Sequence, residues 1–90
     1  MKTVKLIISG SVQGIGYRAW VKREATHLGV TGWVKNRNDG TVEMVLSGND
    51  QSIKTLIGRL WKGPMFAHVV DITIRPHTKK ETLSSFSVLQ

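Results

Sequence analysis

The sequence predicts an α+β fold in which two helices lie together on one face of an antiparallel β-sheet. Five short stretches alternate apolar and polar residues, as half-buried strands do, and two longer stretches repeat apolar residues every three or four positions, as amphipathic helices do. Their order is βαββαβ with a short extra strand at the C-terminus. Because each helix has one apolar face, the pair cannot cover both sides of a sheet. We therefore expect a single domain over residues 1–90, a ferredoxin-like sandwich.

The first half of the chain is predicted to form a strand, a glycine-rich loop, a helix and a second strand. Residues 4–8 alternate apolar and other side chains and precede the loop. Residues 19–28 carry an apolar stripe at helical spacing, and Gly29 suits the left-handed conformation that often ends a helix. Residues 30–37 alternate again and are assigned to the second strand, with Asn36 on the same face as the apolar positions.

The second half is predicted to form a hairpin, a helix and two further strands. Residues 38–40, Asn-Asp-Gly, tolerate the positive φ angles of a tight turn. The remaining predicted elements are a third strand at 41–47, a second helix at 51–61, a fourth strand at 69–75 and a short final strand within 84–89. In the fourth strand we expect Val70, Ile72 and Ile74 to be buried, and a polar, charged loop is expected over 76–83.

A glycine-rich loop joins the first strand to the first helix. Gly10, Gly14 and Gly16 fall within seven residues, and glycine lets the main chain adopt positive φ and approach a ligand closely. The helix start adds unpaired N–H groups at the positive end of the helix dipole, so the whole forms an anion site suited to phosphate. Arg18 stands in the first turn, where a cation opposes the dipole. A residue that opposes the preferred charge of its position is typical of a functional site, and this predicts that Arg18 binds the anion. The alternative is an exposed helix arginine without a ligand.

The end of the second strand is predicted to lie beside this loop. Strands joined by a helical crossover run parallel, and right-handed crossovers place the first and third strands in the middle of the sheet. The C-terminal ends of the first two strands then meet at one edge of the sheet, which brings Asn36 towards the glycine loop. The amide of Asn36 offers both a donor and an acceptor and can hold and orient a water molecule. The alternative is an asparagine that helps the following turn.

Residue counts and spacing disfavour several other kinds of site. The chain has no cysteine, which rules out disulfides, thiolate metal sites and a cysteine nucleophile. His27, His68 and His77 show no metal-ligand spacing, so no metal is expected. Asp39 is interpreted as a turn residue and Glu43 as a solvent-facing strand residue, so no carboxylate stands out as a general base. No apolar run approaches the roughly 20 residues of a membrane span, and the N-terminus shows no signal-peptide pattern, so we expect a cytoplasmic protein without a membrane partner.

The chain is strongly basic, with a net charge of +7 and a sequence pI near 10.3. Such a charge suits anionic partners, either a small anion that is steered to a site or a nucleic acid. The basic residues are scattered, and the notable cluster outside the first helix is Lys79-Lys80 in the predicted loop. A solvated basic surface with no specific partner is the third interpretation.

Two blocks of the sequence resemble the signature of the acylphosphatase family. Residues 12–18 read Val-Gln-Gly-Ile-Gly-Tyr-Arg, where the family has Val-Gln-Gly-Val-Gly-Phe-Arg after its first strand. Residues 32–36 read Gly-Trp-Val-Lys-Asn and are followed by Asp-Gly at 39–40, which is similar to the second family block. The likeness runs over nearly the whole chain in the family's order and spacing. The differences in the loop are mild, although Ser11 replaces a basic residue that is common there.

The resemblance implies a reaction, a site and a set of partners. The reaction is the hydrolysis of acyl phosphates to a carboxylate and inorganic phosphate, with no metal or organic cofactor. The resemblance further implies that Arg18 and the loop amides hold the phosphoryl group while Asn36 positions the attacking water. The loop amides are the backbone N–H groups of Gly14, Ile15, Gly16, Tyr17 and Arg18. We expect a monomer whose partners are an acyl phosphate substrate and inorganic phosphate as product or inhibitor.

Two other functions stay open at this point. A basic ferredoxin-like module that binds nucleic acid fits the charge, but the first and third strands lack the paired surface aromatics that stack bases in such modules. Nucleic acid is therefore not expected as a partner. The second alternative is a relative that keeps the phosphate site without catalysis, as a sensor or as a module detached from a larger carbamoyl-transfer enzyme.

Overall fold

Seven elements follow one another in a computed structural model of the chain, which describes residues 1–77 and 83–89. They are β1 (Lys2–Ser11), α1 (Tyr17–His27), β2 (Thr31–Asn36), β3 (Val42–Gly48), α2 (Asp50–Lys62), β4 (His68–Pro76) and β5 (Phe86–Val88). The predicted order is confirmed, although β1 extends beyond the predicted 4–8 at both ends. The predicted loop over 76–83 begins inside β4, and its central part, residues 78–82 with Lys79-Lys80, lies outside the described residues.

The described strands form one sheet in the order β4-β1-β3-β2-β5. The strands β4, β1, β3 and β2 pair antiparallel with their neighbours in this order, and β1 and β3 lie in the middle of these four as predicted. The short strand β5 pairs parallel with β2, so the sheet is mixed and not antiparallel throughout. The ferredoxin-like fold is confirmed, and β3 separates β1 from β2 in the sheet.

Both helices lie on one face of the sheet and share a single core with it. The helices and the two central strands contribute fully or nearly fully buried side chains from their facing surfaces. These side chains are Tyr17, Val21 and Ala25 of α1, Ile53, Leu56 and Leu60 of α2, Leu6 and Ile8 of β1, and Met44 and Leu46 of β3. Full burial of each large apolar side chain stabilises the fold by about 1.5–3 kcal/mol, so this core fixes where α1 begins relative to the strand ends.

The prediction that the fourth strand buries three apolar residues is wrong for two of them. Ile72 is 8% exposed and lies opposite Ile8, whereas Val70 is 63% and Ile74 49% exposed. β4 is the edge strand and has a strand neighbour on one side only. The register between β1 and β4 also shifts after Ser9, at the position of Val70. Alternation alone does not show where a strand lies in the sheet, and this accounts for the error.

The prediction that Glu43 faces solvent is also wrong, because its side chain is covered. Glu43 lies on the face of β3 away from the helices, yet it is only 9% exposed. Lys5 Nζ lies 2.8 Å from its Oε2 and Lys35 Nζ lies 3.7 Å from its Oε1. Burial alone would raise the pKa of Glu43, but the hydrogen bond and charge of Lys5, together with the charge of Lys35, outweigh it and lower the pKa below its ordinary value of 4.5.

This lowered pKa predicts a pH-dependent contribution of Glu43 to stability. A carboxyl group with a depressed pKa in the folded state stabilises the fold above the unfolded pKa, and the contribution is lost as the pH falls through the folded pKa. We expect Glu43→Gln to lower the free energy of unfolding by about 1 kcal/mol at pH 7, and by much less at pH 3. Urea denaturation at the two pH values measures both differences. An equal difference at pH 7 and pH 3 would contradict the ion-pair explanation.

Candidate active site

The two helices begin in different ways, and the difference marks the glycine loop. The side chain of Asn49 caps α2 by accepting a hydrogen bond from the Ser52 N–H at 2.7 Å. At α1 the cap position is Gly16, with φ of 80°, and neither a side-chain cap nor an acidic residue stands in the first turn. Trp20 donates the first helical hydrogen bond, to the Gly16 carbonyl at 3.0 Å. The preceding N–H groups of the first turn therefore have no helical partner and can serve an anion.

Gly14 shares the left-handed conformation of Gly16, with φ of 76°. A Cβ atom at either position would lie within 4 Å of no heavy atom beyond the adjacent residues, so the two glycines are required by the backbone conformation and not by lack of space. Two left-handed residues this close together curl the chain between them, which is how main-chain amides are turned towards a common point.

The side chain of Tyr17 anchors the loop in the core. It is 1% exposed, its hydroxyl donates to the Leu60 carbonyl at 3.2 Å, and its ring contacts Trp20 with centroids 5.6 Å apart. Burial raises the pKa of Tyr17 well above its ordinary range, so the hydroxyl stays protonated. Tyr17 can therefore offer its backbone N–H to a ligand, while its side chain is committed to packing.

The guanidinium of Arg18 is held by the C-terminal end of the described chain. Its Nη1 donates to the carbonyl oxygen of Leu89 at 2.8 Å. The N–H of Leu89 in turn donates to the Val34 carbonyl at 2.8 Å, which continues the pairing of β5 with β2. A guanidinium carries five N–H donors, so a contact to Leu89 leaves enough of them to grip two oxygens of an anion.

Asn36 ends β2 on the same face as the buried Val34. Its Oδ1 is buried and accepts no hydrogen bond from the part of the chain that the structure describes. A buried polar atom without a partner costs about 1–3 kcal/mol, and such atoms call for a functional explanation. The carbonyl of the Asn36 amide is therefore available to a water molecule or a ligand.

One pocket of about 180 Å³ brings the glycine loop, Arg18 and Asn36 together. Its lining residues are Val12, Gly14, Gly16, Tyr17, Arg18, Ala19, Asn36 and Val88. This volume is below the roughly 300–1,000 Å³ typical of pockets for drug-sized ligands, and it suits a small group such as a phosphoryl group. Ile15 is not among the lining residues, because its side chain packs against the core. The sequence-predicted residues other than Ile15 thus surround one space.

Two residues outside the pocket lining, Leu89 and Gln13, make hydrogen bonds beside the site, and neither was assigned a role from the sequence. Leu89 acts through its backbone carbonyl, for which a sequence carries no signal. Gln13 donates from its Nε2 to the carbonyls of Arg37 and Thr41, both at 2.8 Å. The sequence shows that Gln13 belongs to the first family block. It does not show which groups Gln13 contacts, because the hairpin carbonyls are 24 and 28 residues away along the chain.

A second concavity, of about 500 Å³, opens on the other face of the sheet and is lined by Lys5, Lys35, Asn36, Arg37, Asn38, Asp39 and Glu43. It is less suited to phosphate because its lining includes two carboxylates. Glu43 holds both lysines, and the hydrogen bonds from Thr41 hold the pKa of Asp39 below its usual range and commit Asp39 to the turn. We therefore place the candidate site in the smaller pocket.

Neither a group of metal-binding side chains nor a membrane-spanning helix is found in the part of the chain that the structure describes. Within 1–77 and 83–89, no three His, Asp or Glu side chains are grouped so that they could hold a metal ion. No helix of that part is both long and apolar enough to cross a membrane.

The contact between Leu89 and Arg18 gives a test of how the guanidinium is held. Leu89→Pro removes the N–H that ties this segment to Val34. For the acyl phosphate substrate that the sequence resemblance implies, we expect this change to lower kcat/KM about fivefold, the equivalent of one hydrogen bond of about 1 kcal/mol. Leu89→Ala keeps the backbone bonds and serves as the matched control, with activity near that of the unmodified protein. Equal activity of the two variants would show that the segment does not position Arg18.

The chain is similar along its length to proteins of one family. A family model described as Acylphosphatase matches residues 4–88. An acylphosphatase of Geobacillus kaustophilus (strain HTA426) is 39% identical over 89 residues, which cover 99% of this chain and 95% of that protein. The crystal structure of acylphosphatase from Bacillus subtilis covers 100% of both chains at 33% identity, with a TM-score of 0.95. The structure of an acylphosphatase from Coxiella burnetii has 36% identity and a TM-score of 0.91, and the match covers 98% of this chain and 92% of that one.

Proposed function

The chain belongs to the acylphosphatase family and is an acyl phosphate hydrolase, and from this premise we propose that its reaction takes place in the pocket between the glycine loop and Asn36. The observation that carries the proposal is the buried, unpaired Oδ1 of Asn36 in the same small pocket as Arg18. A hydrolase of this kind needs an anion site and a held water, and these two residues supply them.

The phosphoryl group is held by two kinds of donor in this proposal. The backbone N–H groups of residues 14–18 surround its oxygens, and the guanidinium of Arg18 binds two of them. The left-handed Gly14 and Gly16 and the uncapped start of α1 support this arrangement. In phosphoryl transfer the protein's part is mainly positioning and neutralisation of charge on the equatorial oxygens, and fixed donors provide both.

The attacking water is oriented by the side-chain amide of Asn36. The water oxygen attacks phosphorus, the bond between phosphorus and the acyl oxygen breaks, and a carboxylate leaves. Because a carboxylate is a good leaving group, no strong acid is required. A phosphoryl oxygen of the substrate accepts the proton of the water, which agrees with a described pocket lining that has no carboxylate and no histidine. A pH–rate profile that requires one enzyme group titrating near neutrality would count against this last step.

The other elements of the proposal concern the protein as a whole. The family match over residues 4–88 supports a single acylphosphatase-like domain over 1–90. We further propose that the protein acts as a monomer in the cytoplasm and needs no metal. Its partners are an acyl phosphate and inorganic phosphate, the product, which also inhibits. Of the alternatives, a nucleic-acid module would need the surface aromatics that β1 and β3 lack, and a non-catalytic phosphate binder leaves the unpaired oxygen of Asn36 without a use.

The experiment that tests the proposal is hydrolysis of benzoyl phosphate by the purified protein in the presence of EDTA. We expect release of benzoate and phosphate, with competitive inhibition by inorganic phosphate. A protein that binds phosphate without hydrolysing benzoyl phosphate would support the non-catalytic alternative. Hydrolysis that stops with EDTA and returns with a divalent cation would contradict the metal-free reaction.

A further inference from the structure

Gln13 links the glycine loop to the hairpin between β2 and β3. Its Nε2 donates to the carbonyl oxygens of Arg37 and Thr41, both at 2.8 Å. These carbonyls lie at the neck of the hairpin, where the Arg37 N–H donates to the Thr41 carbonyl at 2.9 Å. A glutamine amide nitrogen has two N–H groups, so the two bonds use its full donor capacity.

The residue before Gln13 is fixed in the core, and the residue after it begins the curved part of the glycine loop. Val12, the preceding residue, is 1% exposed and belongs to the core. Gly14, the following residue, is the first of the two left-handed glycines that shape the loop. Gln13 therefore holds the start of the loop through its own main chain, and the neck of the hairpin through its side chain.

The hairpin matters because Asn36 immediately precedes Arg37. The loop follows β1 and Asn36 ends β2, and these two strands are not neighbours, since β3 lies between them. No sheet hydrogen bond can therefore join the loop to the end of β2 directly. The Oδ1 of Asn36 also makes no hydrogen bond to the described chain that would fix its distance from the loop. The side chain of Gln13 spans this gap.

We propose that Gln13 is a positioning residue that sets the distance between the phosphate-binding loop and Asn36. The inference rests on the proposed function, because it concerns the geometry of the same site. Reacting atoms must lie about 3–3.5 Å apart and aligned, and a displacement of about 1 Å can lower a rate by about 10²-fold. Loss of the link changes the placement of the water held by Asn36 relative to phosphorus, and leaves the loop that binds phosphate in place.

A double-mutant cycle tests the proposal through its kinetics. For Gln13→Ala we expect kcat for benzoyl phosphate to fall about tenfold, while the inhibition constant of inorganic phosphate changes less than about threefold. In the Asn36→Ala background the same substitution is expected to lower kcat less than about twofold, because the residue through which Gln13 acts is gone. Gln51→Ala, the same change at an exposed glutamine of α2, is the matched control and should keep the activity of its parent protein.

Two further variants separate the hydrogen bonds of Gln13 from its packing. Gln13→Met keeps the length of the side chain without any donor, and it replaces Gln13→Ala in the cycle if the alanine variant unfolds. Gln13→Lys restores a donor that can reach both carbonyls, and we expect it to keep a higher kcat than Gln13→Met.

Two results would overturn the inference and leave the proposed function standing. Losses that multiply in the double variant would show that Gln13 acts independently of Asn36. A Gln13→Met variant with a kcat equal to or above that of Gln13→Lys would show that the donors are not needed. If Asn36→Ala itself kept the full kcat, the failure would lie in the proposed function, and the role of Gln13 would fall with it.

Discussion

Arg18→Ala is expected to lower kcat/KM for an acyl phosphate by about 10²–10³-fold while the protein stays folded. The guanidinium is the one cationic side chain in the described lining of the small pocket, and it supplies charge where the transferring phosphoryl group needs it. Its removal should change the free energy of unfolding by less than about 0.5 kcal/mol. A cation in the first turn of a helix opposes the dipole by about 0.3–1 kcal/mol, and the exposed bond to Leu89 that is lost with it is of similar size.

Replacing Arg18 by lysine separates the effect of its charge from the effect of its planar pair of donors. Arg18→Lys keeps the charge but loses the planar pair of donors, so we expect it to recover little of the activity. Arg23→Ala removes a cation from the same helix outside the small pocket and is the matched control, with activity near that of the unmodified protein. Steady-state kinetics with benzoyl phosphate and thermal unfolding measure both properties. Near-normal turnover by folded Arg18→Ala would show that the phosphate is not bound at this site.

Asn36→Ala is expected to lower kcat by about 10²-fold without lowering stability. The substitution removes the oriented water and leaves the phosphate donors in place, so the inhibition constant of inorganic phosphate should change little. It also removes a buried oxygen that has no partner in the described protein, a group whose burial costs about 1–3 kcal/mol. We therefore expect an unchanged or slightly higher melting temperature, the combination typical of a residue kept for function at the expense of stability.

The neighbouring Asn38 provides the control for this variant. It is an exposed residue of the turn and does not line the small pocket, so Asn38→Ala should keep kcat. If Asn36→Ala lost phosphate inhibition but kept its turnover of bound substrate, the role of Asn36 would be binding and not orientation of water. A large loss of stability would instead make Asn36 a structural residue of the strand end.

The meeting of Asn36 with the glycine loop could be predicted because it follows from periodicity and topology. Strand alternation assigned the face of Asn36, and the parallel relation of β1 and β2 placed both strand ends at one edge of the sheet. The anion-binding character of the loop came from glycines and from the misplaced cation Arg18, both of which are local features. These signals depend on few neighbours, so a single sequence carries them.

The features that the sequence did not predict depend on contacts between distant parts of the chain. Arg18 and Leu89 are 71 residues apart, and their bond uses a backbone carbonyl. Glu43 is covered by lysines from two other strands, and Ile74 is exposed because β4 is an edge strand. Residue type and spacing do not reveal which strands become neighbours, or which side chains reach across them. The side-chain link of Gln13 to the hairpin belongs to the same group.

The atom that water attacks is measured most directly by isotope tracing of benzoyl phosphate hydrolysis in water enriched in oxygen-18. If Asn36 directs water to a phosphoryl group held by Arg18 and the loop, the new oxygen joins phosphorus. The inorganic phosphate then carries the label and the benzoate carries none. Label in the benzoate would show that water attacks the acyl carbon, and it would contradict the attack on phosphorus by a water that Asn36 holds.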